Sequence, residues 1–138
     1  MGNHTFIIKG CYYGKNNVFP CLNDYIHACG RHPQVGAKMK RDYQMIASNA
    51  IRRQLGRLEI KNPITLHYKF YEGSEKRDFA NVGAFAEKVI DDALQVCGVI
   101  KNDSQYWLRG YTHEFFVDKG NPRIVVEIEE HETEFGGV

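Results

Sequence analysis

The chain has 138 residues, 43% of them hydrophobic, which is enough for one core and too few for two comfortable domains. No run approaches the roughly 18 to 20 apolar residues a membrane span needs, and Met1-Gly2-Asn3-His4 lacks the charged and apolar regions of a signal peptide, so a soluble intracellular protein is expected. The net charge of +1 conceals a split: nine Lys/Arg stand against Asp24 and Asp42 up to Arg57, a balance of +7, and nine stand against fifteen acids after it, a balance of −6. Such a split fits either one face for a polyanion and another for carboxylates, or charge scattered over an ordinary surface.

The first strand is predicted over Thr5 to Lys9, where Phe6-Ile7-Ile8 precede Gly10. From Cys11 to about Val35 the turn formers Gly14, Asn16, Asn17, Pro20, Gly30 and Pro33 predict an irregular segment, and Tyr12, Tyr13, Phe19 and Tyr25 argue against its being disordered. Met39, Tyr43, Ile46, Ala47, Ala50, Ile51 and Leu55 recur at helical spacing. They predict an amphipathic helix over Ala37 to Leu55 with Lys38, Arg41 and Arg52 on its outer side and Gly56 at its end. Asn62-Pro63 then punctuates the chain, and alternation of Ile64, Leu66, Tyr68 and Phe70 predicts a half-buried strand. A second helix is expected over Val82 to Cys97. Its apolar stripe is Val82, Phe85, Ala86, Val89, Ile90, Ala93 and Cys97, its polar side Lys88, Asp91, Asp92 and Gln95, and its stop Gly98. Two strands follow, near Tyr106 to Val117 and Arg123 to Glu129, joined by a turn at 118–122; residues 130–138 read as a flexible tail. The whole predicts one α+β domain, a small mixed sheet of about four strands covered by two main helices.

The loops around the second helix carry the candidate chemistry. Mg²⁺ prefers octahedral oxygen coordination from one or two carboxylates, waters and phosphate oxygens. Asp78 follows a strand, and Asp103 follows a helix that must pack back on the same sheet, so the chain path could return one aspartate to the other. Two aspartates in loops are more often turn formers or helix caps, and the residues alone favour that reading. Lys88 and Asp92 also suit a surface ion pair at i,i+4. Cys11, Cys21, Cys29 and Cys97 form no CxxC pair and are expected reduced. The six histidines show no HxH or HExxH spacing, and no GxGxxG, P-loop or GxSxG motif occurs, which disfavours zinc, nucleotide-cofactor and serine-hydrolase chemistry. Trp107, Tyr106 and Tyr111 are expected to fill a core or a dimer seam.

The segment from Lys76 to about Ser104 resembles the RusA family of Holliday-junction resolvases, whose pattern is Arg-Asp-x-Asp-Asn, a helix with a lysine, Gly, a few apolar residues and Asp-Asp. The matching residues are Arg77-Asp78-Phe79-Ala80-Asn81, then Lys88 with Asp92-Ala93-Leu94, then Gly98-Val99-Ile100-Lys101-Asn102-Asp103. The resemblance implies a homodimer that binds four-way DNA junctions and nicks two strands symmetrically with Mg²⁺ or Mn²⁺, in the cytoplasm of a bacterial or phage-infected cell. It implies Asp78 and Asp103 as metal ligands, Lys88 as a catalytic phosphate contact and Arg77 as a backbone clamp. Lys76, Lys15, Asn16, Asn17, Lys38, Arg41 and Arg52 are the further candidate DNA contacts. Two positions depart from the pattern: Ala80 replaces the middle acid and Asn102 the first of the final pair. An active site with a relocated ligand, a weak or inactive junction binder, and a deliberate replacement at position 80 all fit this sequence.

Overall fold

The computed structural model describes residues 3–9, 19–74, 79–102, 104 and 106–132. Its elements run β1 (Asn3–Lys9), α1 (Leu22–Arg31), α2 (Pro33–Leu55), β2 (Ile64–Glu72), α3 (Phe79–Val96), β3 (Leu108–Val117) and β4 (Arg123–Glu130). The strands form one mixed sheet in the order β1-β4-β2-β3. β4 runs antiparallel to β1 and β2, whereas β2 and β3 are parallel and joined through α3. This is the α+β, four-stranded mixed architecture expected, with three helices instead of two.

The extra helix lies where irregular chain was expected. Asp24 accepts a hydrogen bond from the backbone N–H of Cys21 at 2.9 Å, closing the first turn of α1. Pro33 does not interrupt a helix but opens one, at a position whose N–H would be unpaired anyway. His32 caps that start, its Nδ1 accepting from the Gln34 N–H at 3.1 Å. α2 therefore begins ahead of the expected Ala37. Gly36 is required where the two helices meet, because a Cβ there would lie 2.3 Å from Cys29 Sγ and 3.1 Å from Cys29 Cα. Phe19, Tyr25, Tyr43 and Phe85 form a cluster of inclined rings among the three helices, which packs the aromatic residues Phe19 and Tyr25 of this stretch; Tyr12 and Tyr13 lie outside the described residues.

Period-two alternation sends Phe6, Ile8, Leu66, Tyr68, Phe70, Ile124, Val126 and Ile128 to one sheet face, all buried, against Ala47, Ala50 and Ile51 of α2 and Val82, Val89, Ile90 and Ala93 of α3. Gly56 and Gly98 end α2 and α3 at φ of 63° and 75°, as expected of glycines in those places. The two sheet edges differ. At the β1 edge Ile7 N–H donates to Gln54 Oε1 at 2.8 Å and Gln54 Nε2 donates to the Ile7 carbonyl at 2.7 Å. β3 carries Tyr111, Phe116 and Val117 exposed along the other edge. No helix among the described residues is long and apolar enough to cross a membrane.

At the far end of the sheet His4 Nε2 lies 2.6 Å from Glu130 Oε2, and Asn62 donates to Glu130 Oε1 at 3.0 Å. Beyond it, His131 N–H donates to the Pro63 carbonyl at 2.8 Å, so Glu130 and His131 are tied to the sheet; residues 133–138 of the expected tail lie outside the described residues. Hydrogen bonds from Asn62 and His4 hold the Glu130 carboxyl below the ordinary glutamate range. A carboxylate with a depressed folded pKa adds stability above its unfolded value and loses it as pH falls through the folded one. Glu130→Gln is expected to lower the melting temperature at neutral pH and to flatten the decline on acidification, read by thermal melts across the acid range. Gly36→Ala is expected to cost about 1–3 kcal/mol in urea denaturation, since the inserted methyl meets backbone as well as sulfur.

Candidate active site at the start of helix α3

β2 ends at Glu72 and α3 begins at Phe79, so the helix starts on the motif that distinguishes this sequence. Ala80 is exposed in its first turn and lines an open depression of about 630 Å³ with His113, Glu114, Phe115 and Phe116 of β3. Alanine at this place has no packing role that would demand it.

One face of α3 continues from Ala80 toward the interior. Glu87 and Asp91 follow at seven and eleven residues, within about 20° of Ala80 around the helix axis. Glu87 Oε1 lies 2.9 Å from His113 Nε2. Partial burial raises the Glu87 carboxyl above its usual range, and the His113 contact offsets only part of that. The helix approaches the strand closely here, since a Cβ on Gly83 would lie 3.0 Å from His113 Cε1. Asp91, expected on the polar outer side, is only 6% exposed. It accepts hydrogen bonds from the Tyr111 hydroxyl and, at 3.4 Å, from the Tyr68 hydroxyl. The correction has a physical cause: α3 is packed between α2 and the sheet, which widens its buried arc, and two phenols make a carboxylate tolerable there. Burial and the neighbouring Asp91 charge push the Tyr68 hydroxyl well above its usual range. Tyr111, expected in a core or seam, spends its hydroxyl on this carboxylate while its ring stays partly exposed.

Lys88 points elsewhere. It sits about 80° around the axis from Ala80 and is exposed, with no ion-pair partner among the described residues. The i,i+4 pair with Asp92 does not form; Asp92 Oδ2 is instead 3.4 Å from Lys40 Nζ of α2. Asp78, Arg77 and Lys76, Asp103, and Lys15, Asn16 and Asn17 lie outside the described residues. Their surroundings are nonetheless informative. Ser74 and Phe79, on either side of the first group, lie at the C-terminal end of β2. Asn102 Oδ1 accepts from the Ser104 N–H at 2.9 Å, the Ser104 carbonyl accepts from the Trp107 and Leu108 N–H groups, and Trp107 O accepts from the Ile64 N–H at 2.8 Å. Those residues lie where β2 and β3 begin. The 18 residues of α3 span about 27 Å between the two places, and the expected approach of Asp103 to Asp78 falls on residues outside the described ones. Asn102 serves as a local turn former.

The candidate DNA contacts on α2 are dispersed. Lys38, 2.6 Å from Asp42, and Arg41 are exposed near its start, and exposed Arg52 lies on its last turn beside Arg57 and Gly98. Cys21, Cys29 and Cys97 are free thiols, and Cys11 lies outside the described residues. Among the described residues no three His, Cys, Asp or Glu side chains are grouped to hold a metal ion. The residues around Ala80 that sequence reasoning passed over are Glu87, His113 and Phe116; only the helical spacing of Glu87 from Ala80 was available as a signal, because His113 and Phe116 arrive through strand pairing.

The fold and this face define an α+β protein whose sheet is covered by helices on one side and whose motif helix docks beside an exposed edge strand. No protein-family model matches the chain, and no curated protein is similar to it in sequence. Tyr111→Phe is expected to lower stability by about 1–3 kcal/mol in urea denaturation, because it leaves the buried Asp91 carboxylate short of a donor.

Proposed function

We propose that this chain is a structure-selective, divalent-metal-dependent endonuclease acting on branched DNA such as Holliday junctions, working as a homodimer like the RusA resolvases it resembles. The observation that carries the reading is the position of the motif: Ala80 stands exposed on the first turn of α3, next to an open depression at the C-terminal half of β3. Asp78 and Asp103 are the proposed ligands for Mg²⁺ or Mn²⁺. Their described flanks lie at opposite ends of α3, which favours a site shared between two copies. In a homodimer each site can combine Asp78 of one copy with Asp103 of the second. A divalent ion in such a site lowers the pKa of an attacking water and screens the scissile phosphate. Arg77 and Lys76 neutralise the backbone phosphates there, and exposed Lys88 is available to a phosphate farther along α3. The setting is the cytoplasm of a bacterial or phage-infected cell, in recombination or repair.

A second reading is a junction-binding protein of the same fold without turnover. It is favoured by Ala80 itself, which offers no oxygen and for which packing supplies no reason. Ala80→Asp separates the two. An acid in the first turn of a helix that otherwise has none there is compatible with folding. The expected outcome is a gain of four-way-junction cleavage on the order of a hundredfold or more in Mg²⁺ or Mn²⁺, abolished by Asp103→Asn; junction binding with no cleavage by either chain establishes the second reading. In the Ala80→Asp background, mixing Asp78→Asn and Asp103→Asn chains is expected to restore nicking through heterodimers. Continued inactivity of subunit-exchanged mixtures would refute the shared site.

A further inference from the structure

On the sheet face away from the helices, the last cross-strand row holds Lys9, Arg123, Tyr71 and Phe116, one from each strand. The Arg123 guanidinium carbon lies 3.7 Å from the centre of the Tyr71 ring. The Tyr71 and Phe116 rings stack in turn, with centroids 4.9 Å apart and planes inclined by 19°. Arg123 is fixed in place, donating at 2.9 Å both to Asp118 Oδ2 and to the Asn121 carbonyl. Three flat groups are therefore layered side by side, braced at the inner end by the 118–122 turn. The outer end is Phe116, on the last strand of the sheet, 40% exposed and bordering the depression that Ala80 lines.

An exposed phenyl ring at the open end of a braced stack presents one flat apolar surface with room for a further layer. Nucleobases take such positions irrespective of sequence, because every base has a π-face, and they do so when released from pairing. Lys69 shares this sheet face one row away and is the nearest cation of the face to Phe116 apart from Arg123; it lies in register with Glu114, the acid beside Phe116, while Lys9 stands on the opposite edge strand and Glu127 and Glu129 lie farther along the face. We infer that Phe116 is the terminal layer of a stacking platform, Arg123–Tyr71–Phe116, that takes an unpaired nucleobase of DNA beside the start of α3. The inference deepens the branched-DNA reading and rests on it for the identity of the nucleic acid: strand exchange points and flaps expose the unstacked bases such a platform would hold.

The test compares the full chain with Phe116→Ala and Phe116→Trp in low-salt fluorescence anisotropy, using labelled oligothymidylate, a linear duplex of equal length and a four-way junction. Phe116 is at the surface, so both variants are expected to fold. The expected result is that Phe116→Ala weakens oligothymidylate binding about tenfold and leaves duplex binding unchanged, while Phe116→Trp retains it. Equal losses on oligothymidylate and duplex, or none, would overturn the platform. So would a fall in oligomeric mass on Phe116→Ala with unchanged oligothymidylate affinity, which would assign the ring to contact with a second copy. Junction preference that survives Phe116→Ala together with oligothymidylate binding removes the platform and leaves the branched-DNA reading standing. Phe116-dependent oligothymidylate binding without preference for the junction over duplex removes that reading and leaves the platform. Absence of binding to all three probes removes both.

Discussion

Two parallel strands cannot be joined by a tight turn; the chain has to travel back along the sheet before it can pair again. β2 and β3 are such a pair, and the return journey is α3. Most of what is particular to this molecule follows from that obligation. It seats Ala80 at one end of the sheet and Asn102 and Ser104 at the other. It brings a helix so close to the edge strand that a Cβ at position 83 would lie 3.0 Å from His113 Cε1.

The same crossover accounts for the acid inside α3. A helix packed on a sheet alone can keep half its circumference polar, whereas α3 is also covered by α2, and α1 packs against both. Asp91 falls within the widened buried arc, where Tyr68 and Tyr111 supply phenol donors. Asp92, one residue on, faces α2 and finds Lys40. Adjacent carboxylates thus meet different neighbours and serve different elements of the fold.

What could be read from the chain beforehand was whatever depends on local periodicity. Ile64, Leu66, Tyr68 and Phe70 announced β2, Ile124, Val126 and Ile128 announced β4, and the stripe from Val82 to Ala93 announced α3, because burial on one side imposes a period that side chains display directly. α1 was missed because Pro20, Gly30 and Pro33 look like breakers; Pro33 is a helix opener, and Gly30 is tolerated one residue from a helix end. Asp91 was placed on the wrong side because the number of elements packed around a helix is a tertiary fact. The pairing of Tyr71 with Phe116, and of Glu87 with His113, depends on register between distant strands and on helix rotation over them, neither of which leaves a trace in spacing.

The contrast between the two edges bears on assembly size. Gln54 satisfies the outward N–H and C=O of Ile7 and so blocks the middle of a seven-residue strand, while ten residues of β3 line the opposite border. A sheet with two adhesive borders grows without limit into a filament; one with a single adhesive border stops once that border is covered. Gln54 therefore acts as a chain terminator for the sheet. Growth of the sheet across the β1 border is hindered by a single amide on α2, the same side chain that ties the helix to the strand it caps.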